Sequence, residues 1–401
     1  MRVLLVSAPL LGHAFPLVPL ARALRAAGHD VLVATGGPAL AVRDAGIDVA
    51  EVGSSVRFGR SALRIALTRP RLAMAETAGE GGLEFVSRLF AAVGEHMAGE
   101  VLSLAGNWKP DLVVHEPLAA AGALAAARQG VPSVVHDTSL YDGADLTAAT
   151  VSRMGHSPPP PMAVLRTAPP SLAVFGEQGS FAPVFAEPEQ GPADRPQGHL
   201  RCAERTEGGL GGTSAAELPL RPVPFSGEGP VPEELRRRPD APRILVSRST
   251  VAGPGGARTM AAVARVAAHV DAEFVLVRPP ERLARRPLPP NVRVTGWVPI
   301  PEILPTCSAI VHHGGAGTLL AALAAGVPQL IEPGAGDRAR HARLVAERGA
   351  GLASSAKDVT SALLTTLVTD PALAEAAAEV QREIAAMPSP QTVAQQLTDM
   401  Q

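Results

Sequence analysis

The stretch AIVHHGGAGTLLAALAAGVPQLIE, residues 309–332, decides how this chain is read. A short apolar run, 309–312, passes through His313, Gly314, Gly315, Ala316 and Gly317 into a helix that begins near Thr318. Small residues let the backbone approach a ligand closely, and the unpaired amides of a first helical turn carry partial positive charge. His313 and the Thr318 hydroxyl add side-chain donors. A diphosphate needs this chemistry. The same turn also serves as a plain strand-to-helix connection, and both readings stand at this point. The glycine order is not G-x-G-x-x-G, which weakens a dinucleotide-dehydrogenase reading, and no Lys-Ser or Lys-Thr pair follows, which excludes a Walker-type loop.

Outward from this turn, strands and helices alternate. Residues 243–247, 273–277, 291–294 and 328–332 read as strands, with helices near 259–270, 317–325 and 337–348. The N-terminal half repeats the unit: strands at 3–7, 30–34, 111–114 and 132–136, helices at 16–27 and 118–128. In the first of these helices Leu17, Leu20, Ala21 and Leu24 recur at helical spacing, with Arg22 and Arg25 opposite. Strands apolar throughout, alternating with helices, predict parallel sheets covered on both faces. Two such halves predict a ligand cleft between two Rossmann-like domains.

The length of 401 residues exceeds one ordinary core and also predicts two domains. Hydrophobic residues make up 46% and charged residues 18%, as in globular chains with large interiors. Aromatics are 3%, which makes Trp297 and Tyr141 conspicuous. A formal net charge of -2 gives no case for nucleic acid or an acidic membrane surface. Cys202 and Cys307 are the two cysteines, far apart, so a reducing, cytoplasmic setting is expected rather than a disulfide framework. The opening MRVLLVSAPLLGHAFP is interrupted by Gly12, His13 and Pro16 and reads as a buried first strand, not a signal peptide. No run is apolar for long enough to predict a membrane span. From about 155 to 229, Pro, Gly, Arg and Glu dominate without a period, which predicts linker or disorder.

The HHGGAGT segment, the AAGVPQL that follows and Asp337 in GAGDRARHA resemble the donor site of family 1 GT-B glycosyltransferases. The likeness is strongest to bacterial enzymes that attach deoxysugars to polyketides and related natural products. The opening pattern G-H-x-x-P-L-x-P-L-A-x-A-L-R-A-A-G-H is similar to the same family independently, and the ending AAMPSPQTVAQQL resembles its closing helix. The likeness covers about 1–140 and 217–401. It implies an α/β GT-B fold, two Rossmann-like domains whose parallel sheets face across a cleft. Residues 1–216 would be the acceptor domain, irregular over about 155–216, and 217–401 the nucleotide-sugar domain.

The resemblance also implies roles. His13 falls where the family has its general base, and an imidazole suits the task because it titrates near neutrality. Glu116, in VVHEPL, stands where the family has an orienting Asp; Asp137, in VVHDTS, is a second carboxylate at a strand end, able to contact either the base or the acceptor. On the donor side, His313, Gly315, Gly317 and Thr318 match the phosphate-binding turn. Trp297, with Val298 in GWVP, matches the aromatic that stacks on the pyrimidine, Thr250 a hydroxyl on the diphosphate, and Asp337 the carboxylate that binds sugar hydroxyls. Ala321 stands where UDP-using relatives often carry a ribose-binding Glu, which favours a dTDP-sugar.

Departures are Arg338, where the family's Asp-Gln pair has Gln, and Ser249, where Gly is usual. Residues 175–216 match nothing in the family, which predicts either a disordered loop or a local reading-frame error. The resemblance implies an inverting, metal-independent transfer without cofactor, from a dTDP-sugar to a small-molecule aglycone, on O or on an electron-rich phenolic carbon. It admits a homodimer. A non-catalytic nucleotide-binding relative and a GT-B nucleotide-sugar epimerase are the competing readings. The acceptor pocket is expected around 55–100 and 137–165.

Overall fold

A computed structural model describes residues 1–173, 215–227, 229–249 and 255–401. Thr250, Cys202 and the stretch 175–216, apart from its last two residues, lie outside the described residues.

The first sheet contains β1 (Arg2–Val6), β2 (Asp30–Thr35), β3 (Asp48–Glu51), β4 (Leu112–His115), β5 (Ser133–His136), β6 (Ala163–Arg166) and β7 (Ala216–Pro219). The second contains β8 (Arg243–Val246), β9 (Glu273–Val277), β10 (Val292–Thr295), β11 (Ala309–His312), β12 (Gln329–Ile331) and β13 (Gly351–Ala353). Among the described residues every pairing between these strands is parallel. The central strands are buried on both faces, with Val3, Leu4, Leu5 and Val6 at 0% exposure. That is why they read as continuous apolar runs rather than alternating ones.

Strand order places the sites. The first sheet runs β3-β2-β1-β4-β5-β6-β7 and the second β10-β9-β8-β11-β12-β13. The order reverses between β1 and β4, and again between β8 and β11. Neighbouring crossovers leave to opposite faces there and open a crevice at the carboxyl ends. The segments just past β1 and β4 carry His13 and Glu116, and the turn past β11 carries His313.

Strands β6 and β7 correct the expectation of an irregular stretch from 155 to 229. Each is four residues long, too short to show a period, and each is held by register with its neighbour: Val134 with Ala163, Ala163 with Ala216. The chain therefore leaves the first sheet after Pro219, past the expected seam at 216/217. The last helix, Pro390–Asp399, returns to the first domain, where Val393, Ala394 and Leu397 join the core of the helix Val18–Ala26. The Ser389 hydroxyl caps its start, with proline at the first helical position. No described helix is long and apolar enough to cross a membrane.

Candidate active site

Past β1 the chain enters a four-residue helix, Leu11–Ala14, which carries His13. The parallel register of Val6 with His115 aligns the ends of β1 and β4, and the Glu116 amide donates to the Val6 carbonyl at 3.1 Å. Glu116 is fully buried, and its carboxylate accepts the amides of Ala8 at 3.1 Å and Leu118 at 2.9 Å. His13 Nδ1 lies 3.3 Å from Glu116 Oε2, an ion-pair contact whose alignment falls short of a hydrogen bond. Burial would lower the His13 pKa, but the Glu116 carboxylate outweighs it and Asp337 adds to the same effect, so the net shift is upward. Burial would raise Glu116, yet His13 and the two amides hold it below the usual carboxylate range. The longer side chain of Glu still reaches the imidazole. The Phe90 ring, its centroid 5.2 Å from that of His13, packs beside it.

Asp137, at the end of β5, takes a different partner. Its Oδ2 lies 3.3 Å from Arg166 Nη1, while Arg166 Nη2 reaches Asp142 at 2.9 Å and Glu217 at 3.3 Å. Burial pushes the Asp137 carboxyl up to about 7 against the pull of Arg166. Among the described residues its ion-pair partner is Arg166. Asp137 lines the cleft all the same.

The donor turn is built on His312. Its Nδ1 accepts the Gly314 amide at 3.1 Å, so the proton sits on Nε2, which donates to Gln329 Oε1 at 2.8 Å. Burial pushes its pKa down to about 4. Gly314 takes φ +79, a left-handed backbone that most residues avoid. A Cβ at Gly315 would lie 2.4 Å from His313 Nε2, so only glycine lets that ring lie across the turn. Burial, then the neighbouring His312 and Arg338, lower the His313 pKa to about 3, so the ring offers an N–H rather than a charge. Gly315 is the N-cap of the helix Ala316–Ala325 and supplies no side-chain cap, which leaves the first-turn amides available to a ligand. Gly317 faces open space.

Trp297 is 39% exposed, with the Arg278 guanidinium 5.4 Å from its ring centroid, whereas the Val298 side chain is 2% exposed and belongs to the core. Val298 nevertheless lines the cavity between the domains. Asp337 precedes the helix Arg338–Arg348 and makes no capping bond; its Oδ2 lies 3.6 Å from His341 Nε2. Arg338 donates from Nε to the Ala335 carbonyl at 3.2 Å. Three residues that sequence reasoning passed over belong to this region: His341, Ser139 and Glu76. A signal existed for His341 alone, four residues after Asp337 and thus on the same helix face.

A cavity of about 790 Å³ lies between the domains. His13, Asp137, Trp297, His313, Gly315, Gly317, Thr318, Asp337 and Arg338 line it, as do Ser249 and Ala321. Its first-domain side includes an apolar wall of Phe58, Leu83, Val86, Leu89, Phe90 and Leu146.

Comparison with known proteins identifies the family and the fold. A family model described as erythromycin biosynthesis protein CIII-like, N-terminal domain, matches residues 22–161, and its C-terminal counterpart matches 258–400. The elloramycin glycosyltransferase ElmGT of Streptomyces olivaceus is 38% identical over 99% of this chain and 97% of its own. The solved glycosyltransferase SnogD from Streptomyces nogalater superimposes with a TM-score of 0.78 at 32% identity, covering 100% of both chains. The spinosyn rhamnosyltransferase SpnG, solved with thymidine diphosphate, gives 0.73 at 27% identity, covering 99% of this chain and 100% of its own. The paired sheets are those of the GT-B fold, and the chain belongs to the erythromycin biosynthesis protein CIII-like family of glycosyltransferases.

Proposed function

We propose that this chain moves a deoxysugar from a dTDP-sugar to a polyketide-type aglycone. The observation that carries the reading is the one cavity lined by both His13, which has Glu116 behind it, and the His313–Thr318 turn. His13 takes the proton of an acceptor hydroxyl, whose oxygen bonds to the anomeric carbon from the face opposite the diphosphate. The bond to the diphosphate breaks, and dTDP leaves with its electron pair. The amides at the start of Ala316–Ala325 and the His313 N–H stabilise the charge that gathers there. In-line displacement inverts the anomeric centre.

Supporting the donor, Ala321 offers the cavity no polar group where a ribose 2′-hydroxyl would need one, and SpnG was solved with thymidine diphosphate. Supporting the acceptor, the apolar wall beside His13 suits a flat polycyclic aglycone, and ElmGT is named for elloramycin. The same wall argues against an epimerase, which needs no chamber for a second substrate. The experiment is thermal stabilisation by dTDP, UDP and GDP, followed by product mass with aromatic aglycones. Stabilisation by dTDP first and a product heavier by one sugar are expected. Turnover of sugar nucleotide without any aglycone would overturn the reading.

A further inference from the structure

The first domain touches the second at the loop that leads into Asp337. Glu76 lies near the end of the helix Pro70–Ala78, is 7% exposed, and accepts the Gly336 amide on Oε1 at 2.8 Å. Its Oε2 is buried without a partner among the described residues, so this is the side chain's one hydrogen bond there. Two glycines permit the approach. A Cβ at Gly79 would lie 2.8 Å from the Ala339 Cβ and 3.1 Å from the Gly334 carbonyl oxygen, and one at Gly81 would lie 2.2 Å from Glu76 Oε2. Gly79 thus lets the two segments meet closely, and Gly81 leaves room for the Glu76 carboxylate.

A second tie lies one helical turn beyond. His341 Nδ1 is 2.7 Å from the Gly314 carbonyl, which only accepts, so Nδ1 carries the proton and Nε2 takes the Ser139 hydroxyl at 3.2 Å. Alongside, the Arg340 guanidinium lies 4.8 Å from the Tyr141 ring centroid. Asp337 therefore sits between two contacts to the first domain: one at the amide just before it, the other at the imidazole one helical turn after it.

We propose that Glu76 is a positioning residue of the sugar site, which binds the amide preceding Asp337 and so makes placement of that carboxylate depend on closure of the acceptor domain. This rests on the reading of Asp337 as the sugar contact. The role asks only for an acceptor oxygen at the end of a side chain of this length. Gln therefore preserves it, while Ala and the isosteric Leu remove it.

The test is calorimetric titration of the wild type and of Glu76→Ala, Glu76→Leu and Glu76→Gln with dTDP, dTDP-glucose and dTDP-L-rhamnose. Leu keeps the buried volume and serves where Ala fails to fold. The wild type binds at least one sugar nucleotide more tightly than dTDP. Loss of the acceptor weakens that sugar nucleotide about fivefold to tenfold, as one hydrogen bond would, and leaves dTDP unchanged; Gln restores the affinity. Sugar-nucleotide binding unchanged in the Ala or Leu variant overturns the proposal, and so does an equal loss for dTDP. A wild type that binds dTDP as tightly as both sugar nucleotides removes the sugar subsite and this role with it, leaving the dTDP site standing. A wild type that binds none of them overturns the proposed function itself.

Discussion

His13 and Glu116 meet across the carboxyl ends of two adjacent parallel strands, with Nδ1 3.3 Å from Oε2. Because the Glu116 carboxylate also holds the amides of Ala8 and Leu118, its charge is anchored and cannot swing away from the ring. An imidazole so placed keeps a raised pKa inside an apolar wall.

Glu116→Gln tests that arrangement through pH. A general base acts when unprotonated, so activity rises with pH through the pKa of His13. Removal of the neighbouring charge leaves burial to dominate and lowers that pKa. The acidic limb of kcat/KM is expected to move to lower pH, while the plateau falls by about 10²-fold as the base weakens and loses its orientation. An acidic limb that stays in place would separate Glu116 from the base.

Gly315→Ala tests the donor turn. The added methyl would stand 2.4 Å from His313 Nε2, so the ring must leave its place on the turn. Overpacking of this kind costs about 1–3 kcal/mol, and dTDP affinity is expected to fall by a comparable amount. Titration calorimetry reads it, and unchanged affinity would show that the ring position is immaterial to the diphosphate.

Trp297→Ala removes a half-exposed ring at the cavity edge. If that ring stacks on the pyrimidine, affinity for dTDP and for UDP drops alike, by about 1–3 kcal/mol. A loss confined to the turnover number, with binding intact, would contradict a stacking role.

Much of this architecture is legible in the order of residues alone. The strands of both sheet centres are apolar throughout, and the turn at 312–318 joins strand to helix with little ambiguity. The helices Phe58–Thr68, Pro70–Ala78 and Gly82–Trp108 are not read from it, although Pro70 at the start and Gly79 just past the end of the second are helix-boundary residues. Site residues are legible where a motif carries them. The partner of Asp137 is not, since Arg166 is brought to it only when β6 pairs with β5. Nor is the contact of Glu76 with Gly336, which lie 260 residues apart and belong to different domains.

Asp137→Asn carries a pH signature in stability. A carboxyl pushed up to about 7 binds its proton more tightly folded than unfolded, so its contribution is full below the ordinary carboxylate pKa and is lost as pH rises toward 7. Asn mimics the protonated acid. The melting temperature of the variant relative to the wild type is expected to rise between pH 5 and pH 8. A constant difference across that range would mean that Asp137 titrates normally in the folded chain.

The most direct measurement compares turnover and dTDP affinity in the same preparation of His13→Ala. Removal of the base is expected to lower kcat by about 10²- to 10⁴-fold, because proton transfer loses its acceptor. The affinity for dTDP should remain that of the wild type, since the diphosphate turn lies in the other domain. Retained turnover, or a loss of turnover that merely follows a loss of dTDP binding, would contradict a cavity in which His13 activates the acceptor while the turn at His313 holds the leaving group.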